Sequence, residues 1–490
     1  MDSCYPFRRA AAALGATFLA ACGSTGGGGG TPTVAIEPMC TILMTHFSIN
    51  PKVDSALVAD RTDPSVNHGF TRFRQISNPR GNSTVGFKSD VYGISEAWSR
   101  NSAGPVVVRA QAHPARRPQA GDFEGSAWSF NAQDVRGVWT AFPAGTLAFG
   151  ATTGLEQTDD PATANGATPR LMTVGDANPQ VFACAGRRSE DSAVRSTWLI
   201  EVTAPNTAAG ATGSVSFIQD LLNGDDRFVP NQPVGPLGGL PAANRPTPEI
   251  RNRPGHPVTQ GSVRCAMTQA GDDVSTRELH MLTISNGALY HSMASNFGPT
   301  VTNGGAGITF NRFRNVSPWA EVGPVLGGGF GNIVDATIVA SRPTAVSVFF
   351  TAGSGNAFKV WHAVRFSAGG GSWRAADDVL ALNGGRPGGS PSGLPFRVAA
   401  GMCPVSGRPQ DTELVYTLWN SEHRGILLGR MVSTPQTWMP GMTGTWSPLF
   451  DLSKLISGSS QDAERQATIQ ELSIVARPFR DNATPPTPSP

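Results

Sequence analysis

The chain has 490 residues, with 57 glycines, 39 prolines and a net charge of +2 from 38 basic and 36 acidic residues. A charge so close to zero implies no polyanion such as nucleic acid as partner, because that class of binding needs a clustered basic surface. With 39% apolar and 15% charged residues, the composition describes many short strands joined by turns rather than helices, in one large repeat-built domain or two or three ordinary ones.

At the N-terminus, Arg8 and Arg9 precede an apolar run from Ala10 to Ala21. That run is too short to cross a bilayer, which needs roughly twenty residues, and its small-residue exit Leu19-Ala20-Ala21-Cys22 reads as a processing site. The motif resembles the lipobox of bacterial lipoproteins. The resemblance implies a signal peptide over 1–21, acylation of Cys22 as the mature N-terminus, and membrane attachment through several chains on that residue, since one chain holds only marginally. Gly23 directly after the cysteine, with no Asp there, implies an outer-membrane address in the cell envelope. Residues 22–32, with Gly26 to Gly30, form a flexible tether. Residues 33–480 form the folded body, and 481–490 are a polar, Pro-rich, disordered tail. No later run of eighteen apolar residues exists, so no membrane span is expected.

Along the body, strand-like runs recur at Cys40 to Phe47, Pro105 to Ala110, Gln180 to Ala185, Val263 to Thr268, Ala345 to Thr351 and Val398 to Cys403. Alternating runs follow, such as Ser196 to Val202, Glu278 to Ile284, Lys359 to Phe366 and Glu413 to Trp419, which is the period-2 signature of strands with one buried face. Units then close on an aromatic after a Gly-rich turn, as in Gly371-Ser372-Trp373 and Gly444-Thr445-Trp446. Residues 223–260, dense in Pro, Gly and Asn, read as a long loop insertion.

Phe70 to Ser77 recurs as Phe310 to Ser317, and Ser99-Arg100 with Pro105 to Ala110 recurs as Ser341-Arg342 with Ala345 to Phe350 at nearly the same offset. Repeating units of four strands predict an all-β chain folded as a single β-propeller of four-stranded blades. The spacing favours six blades, with seven the nearest rival. Leu472 to Pro478 is similar to Ala336 to Pro343, and the last strand, with no following blade to join, is expected beside the first: residues 33–47 against 467–478, closing the ring.

Four cysteines remain outside the signal and the acylation site: Cys40, Cys184, Cys265 and Cys403. An even number in an oxidising compartment allows three pairings. A three-blade offset equates Cys40 with Cys265 and Cys184 with Cys403, which suggests Cys184–Cys265 and Cys40–Cys403; four buried thiols are the alternative.

Little in the sequence carries chemistry. There is no Cys-x-x-Cys, no His-Glu-x-x-His and no phosphate-binding Gly-rich loop opening a helix, so no metal or cofactor is called. His280 and His362 sit among apolar strand residues and read as structural. Asn286 to His291 resembles the hairpin of lectin-like propellers, in which an aromatic and a His line a sugar pocket, a resemblance that would make Tyr290 and His291 ligand contacts. Trp319, Trp373, Trp438 and Trp446 follow turns or lie beside loops, where ring faces can meet a ligand. The Gly-x-Ser/Thr-aromatic turns are similar to Asp-boxes of sialidase-type propellers without the defining Asp. In that family an arginine cluster grips a carboxylate and a tyrosine with a carboxylate partner does the chemistry.

With no catalytic constellation in view, the expected function is a non-catalytic, lipid-anchored binding module for glycan or an envelope protein. A divergent propeller hydrolase or lyase acting on polysaccharide is the alternative, and would require two carboxylates, or a Tyr–Glu pair with arginines, at one mouth of the channel. A structural envelope component is a further alternative.

Overall fold

The computed structural model describes residues 39–479 apart from 62–68, 77–90, 143–169, 221–262, 383–394, 433–444, 453–467 and shorter breaks. Cys22, the signal and tether segments, the insertion at 223–260, Trp438 and the tail at 481–490 lie outside the described residues. The chain divides into two units, Met1–Ala35 and Ile36–Pro490, and all described residues belong to the second.

The described residues form six antiparallel sheets. The first holds β1 (Met39–Ile49), β2 (Lys52–Asp60) and β3 (Arg74–Gln75). The second holds β4 (Gly93–Asn101), β5 (Gly104–Arg116), β6 (Phe123–Asp134) and β7 (Trp139–Ala141), and the third β8 (Arg170–Val174), β9 (Gln180–Arg188), β10 (Arg195–Thr203) and β11 (Ser214–Asp220). The fourth is β12 (Arg264–Thr268), β13 (Glu278–Ser285), β14 (Ala288–Val301) and β15 (Thr309–Val316), with β16 (Ala320–Glu321) also on β14. The fifth is β17 (Asn332–Arg342), β18 (Ala345–Gly353), β19 (Lys359–Phe366) and β20 (Ser372–Trp373), with β21 (Asp377–Asp378) also on β19. The sixth is β22 (Arg397–Val405), β23 (Arg408–Trp419), β24 (Ile426–Val432) and β25 (Thr445–Trp446), with β26 (Phe450–Asp451) also on β24. The last strand, β27 (Thr468–Arg477), joins the first sheet on the far side of β1.

Strands β27, β4, β8, β12, β17 and β22 are successive neighbours, and β22 returns to β27. The sheets therefore stand around a common axis as a β-propeller, an arrangement that leaves little exposed sheet edge. The two ends of the folded chain meet in one sheet: β1 and β27 run antiparallel with Met39 opposite Arg477, Ile42 opposite Ile474 and Phe47 opposite Thr468.

The hydrophobic core lies between sheets rather than in one central body. Phe349, Val364, Val398 and Leu414 join the fifth and sixth, Phe182, Met267, Leu279 and Phe313 join the third and fourth, and Ile42, Val415, Trp419 and Leu472 join the sixth and first. Strand β18 is buried at every position, because a second strand is covered on both faces; its Val and Phe content suits that place.

The repeated sequences fall three sheets apart. Phe70 to Ile76 contains β3 and Phe310 to Val316 lies in β15, the outermost strands of the first and fourth sheets, while Pro105 and Ala345 lie at the starts of β5 and β18 in the second and fifth. The strand-like runs do not mark the same strand position in every sheet. Cys40, Pro105, Gln180 and Ala345 open second strands or lie at their starts, whereas Val263 to Thr268 and Val398 to Cys403 contain innermost strands. Ala336 to Arg342 lies in an innermost strand, as does its copy in β27. The physical reason is that innermost strands carry charged and hydroxyl residues toward the axis, so the long apolar runs mark their covered neighbours.

Disulfides join Cys40 to Cys403 and Cys184 to Cys265, with Cα separations of 5.0 and 6.1 Å. The equivalence of Cys40 with Cys265 does not hold in the fold. Cys40 (β1) and Cys184 (β9) lie in second strands, Cys265 (β12) and Cys403 (β22) in innermost strands. Each bridge links a second strand to the innermost strand of an adjacent sheet, one to the sheet before it and the other to the sheet after it.

Candidate site in the central channel

The innermost strands enclose a cavity of about 370 Å³ on the axis, lined by residues of all six, a size within the range of small-molecule sites. Because strand side chains alternate, each of these strands presents every second residue to the channel. In β17 the half-buried positions include Asp335, Thr337 and Val339, and in β8 they include Arg170 and Met172.

Charged residues gather at one level of this cavity. Arg170 on β8 forms an ion pair with Glu471 on β27, spanning β4 between them. Arg264 on β12, diametrically across the ring from β27, places Nη1 3.9 Å from Glu471 Oε1. Asp335 on β17 lies within the field of both Arg264 and Arg397, and its carboxylate accepts the backbone N–H of Val398 at 2.8 Å. Among the lining residues two guanidinium groups, Arg170 and Arg264, thus face two carboxylates, Asp335 and Glu471, and Arg397 acts on Asp335 from outside the lining. Burial lowers the pKa of Arg170 well below the ordinary arginine range, and its neighbour Arg264 lowers it further. Arg264 is lowered by burial, opposed by Asp335 and reinforced by Arg397. Burial raises the pKa of Asp335 against the pull of Arg264. Arg264 Nη1 and Arg170 Nε are buried without a hydrogen-bond partner among the described residues, a costly state for a guanidinium.

A second charged group lies behind the wall. Glu96 on β4 is held by Arg109 Nε at 2.6 Å and by Arg477 through two bonds of 2.5 Å, all three side chains being fully buried. Arg109 also stacks over Trp139, 4.1 Å from the ring centre. This group fastens β27 to the second sheet, both arginines holding the one carboxylate.

The residues singled out from sequence lie elsewhere. His291 on β14 is buried and stacks on His280, with Nε2 3.2 Å from His280 Nδ1 and Trp373 edge-on at 5.2 Å. His280 Nε2 in turn lies 3.4 Å from Glu278 Oε2, which accepts a bond from Ser367 of the next sheet. Burial lowers the pKa of both histidines, and they pack in the seam between the fourth and fifth sheets. Tyr290 is half-buried beside them. Trp319 and Trp373 are partly buried against the cores between sheets, and Trp446 packs edge-on to Phe349, His362 and Tyr416. None of these lines the axial cavity.

The cavity arginines were missed by sequence reasoning, although a signal exists. Arg170, Arg264 and Arg397 each stand as the first residue of an innermost strand, ahead of a short apolar run; an arginine opening three strands of a repeat marks one ring level. Among the described residues no group of three or more His, Cys, Asp or Glu is arranged to hold a metal.

No family model matches the chain, and no curated protein does.

Proposed function

We propose that the chain is a non-catalytic, envelope-anchored binding module, a closed six-bladed propeller tethered through an acylated Cys22, whose ligand site is the axial cavity. The observation that carries the binding reading is the pair of buried arginines, Arg170 and Arg264, in the cavity wall, with Arg264 Nη1 left without a hydrogen-bond partner among the described residues. An anionic group of a small molecule or glycan end is what such a cluster accepts, by charge-assisted and bidentate hydrogen bonds. The anchor reading rests on the sequence Leu19-Ala20-Ala21-Cys22.

Asp335 and Glu471 share the cavity, and this favours a second reading, the polysaccharide hydrolase or lyase. Against it, Glu471 is ion-paired and Asp335 accepts backbone N–H groups, and neither Tyr290 nor Tyr416 is among the lining residues. The test is to incubate the protein with acidic oligosaccharides and simple carboxylates, following the melting temperature and the release of new reducing ends together. A ligand-dependent rise in melting temperature, lost in Arg264→Met, with no new reducing ends supports the binding module; turnover abolished by Asp335→Asn or Glu471→Gln establishes the enzyme instead.

A further inference from the structure

Along the axis the cavity wall changes character in a fixed order. In β17 the channel-facing residues run Asp335, Thr337, Val339, and in β27 Glu471, Ser473, Val475. In β8 Arg170 is followed by Met172, and β22 brings Met402 to the same wall. Charge lies at one level and aliphatic surface further along, with hydroxyls between. At about 3.3 Å per residue, the four steps from Asp335 to Val339 cover roughly 13 Å.

Of the four hydroxyls in the cavity wall, those of Thr173, Ser95 and Ser473 are committed to the fold. Thr173 Oγ1 accepts the backbone N–H of Trp98 and donates to the Trp98 carbonyl, both at 2.9 Å. Ser95 Oγ accepts the N–H of Leu171 at 3.0 Å, and Ser473 Oγ donates to the Ile94 carbonyl at 3.4 Å. These bonds stitch β4 to β8 and β27 to β4. A sugar ring in this channel would lose water from several hydroxyls and find methionine and valine in return, a desolvation that is not repaid. An aliphatic body gains from the same walls by burial.

We infer that the axial site takes an amphipathic monocarboxylate, its acid group on Arg170 and Arg264 and its aliphatic body along Met172, Val339, Met402 and Val475. This rests on the reading of the cavity as the ligand site and names the ligand class. The carboxylate supplies the hydrogen bond that Arg264 Nη1 lacks among the described residues, and the apolar tail displaces water from a surface that cannot hydrogen-bond it.

The experiment is calorimetric titration of the whole protein with decanoate, decanol and glucuronate, each kept below any micellar concentration. Decanoate is expected to bind one to one, with decanol and glucuronate each weaker by about tenfold or more, because each lacks one half of the match. Arg264→Met and Met402→Gln should each weaken decanoate by about tenfold, with unliganded melting curves confirming that the variants fold; the comparison of three ligands on the unaltered protein does not depend on them. Glucuronate binding as tightly as decanoate, with loss in Arg264→Met, would overturn the amphipathic assignment and leave the axial anion site standing. Decanoate binding that is unchanged in Arg264→Met and Met402→Gln would place it elsewhere and overturn the assignment too. Absence of binding by all three would remove both.

Discussion

Arg477, at the end of the last strand, closes a bidentate pair on Glu96 at the start of the second sheet, through Nε and Nη2 at 2.5 Å each. Both side chains are buried, and Arg109 holds the same carboxylate. Since β27 is also hydrogen-bonded along β1, the last strand is fixed at once to the first sheet and to the second. Breaking a buried pair by removing one partner typically costs about 3–5 kcal/mol, because the other charge stays buried and unmatched. Arg477→Met should therefore lower stability by about that amount in urea unfolding. A loss within the scatter of surface substitutions would mean that β27 is held by its backbone pairing alone.

The two disulfides should differ in their contribution. Cys40–Cys403 spans 363 residues and Cys184–Cys265 spans 81. A cross-link restricts the unfolded chain more the longer the loop it closes, and the logarithmic dependence makes the longer bridge worth about 1 kcal/mol more. The paired variant Cys40→Ala/Cys403→Ala should accordingly unfold at lower denaturant than Cys184→Ala/Cys265→Ala. The reverse order would show that native-state packing, not loop closure, sets their value.

Gly401 on β22 stands where the backbone of the sixth sheet passes close to that of the first. A Cβ built there would lie 2.3 Å from the carbonyl oxygen of Ile474 on β27, and a backbone atom cannot move aside as a flexible side chain can. Gly401→Ala must push the two strands apart or distort one of them, at a cost of about 1–3 kcal/mol or more. Thermal melting reads this directly, and an unchanged melting temperature would mean that β22 and β27 separate there without loss of packing.

Gly401 also illustrates which parts of the molecule sequence could reveal. Alternation in Lys359 to Phe366 and Glu413 to Trp419 identifies strands because one face of each is apolar, and the copies at Phe70 and Phe310 identify repetition because outermost strands three sheets apart meet similar surroundings. The likeness of Leu472 to Pro478 to an internal strand is enough to place the last strand beside the first. The phase of the units was hidden, because innermost strands mix Arg, Asp, Glu and Thr with apolar residues and so look less strand-like than their covered neighbours. The channel site was hidden for a different reason. Arg264 and Glu471 approach only because the ring sets β12 opposite β27, and no local pattern encodes a distance across the axis. Trp373 and Trp446 stand after Gly-rich turns, where sequence suggests exposure, yet the adjacent sheet covers one side of each.

His362 should set part of the acid limit of stability. It is fully buried on β19, 4.7 Å from the Phe349 ring and 5.2 Å from that of Trp446. Burial, aided by the nearby Arg374 guanidinium, holds its pKa down to about 3, against about 6.5 in an unfolded chain. The folded state therefore keeps the ring neutral while the unfolded state takes up a proton. The stabilising contribution is whole above about pH 6.5 and is lost as pH falls from there toward 3, at up to about 1.4 kcal/mol per pH unit. His280 and His291 are lowered by burial as well and act in the same direction. His362→Phe removes one of these groups, so its loss of stability between pH 7 and pH 4.5, measured as the shift in urea midpoint, should be smaller than that of the unaltered protein. Parallel losses in the two proteins would show that His362 is protonated, or reached by water, in the folded state.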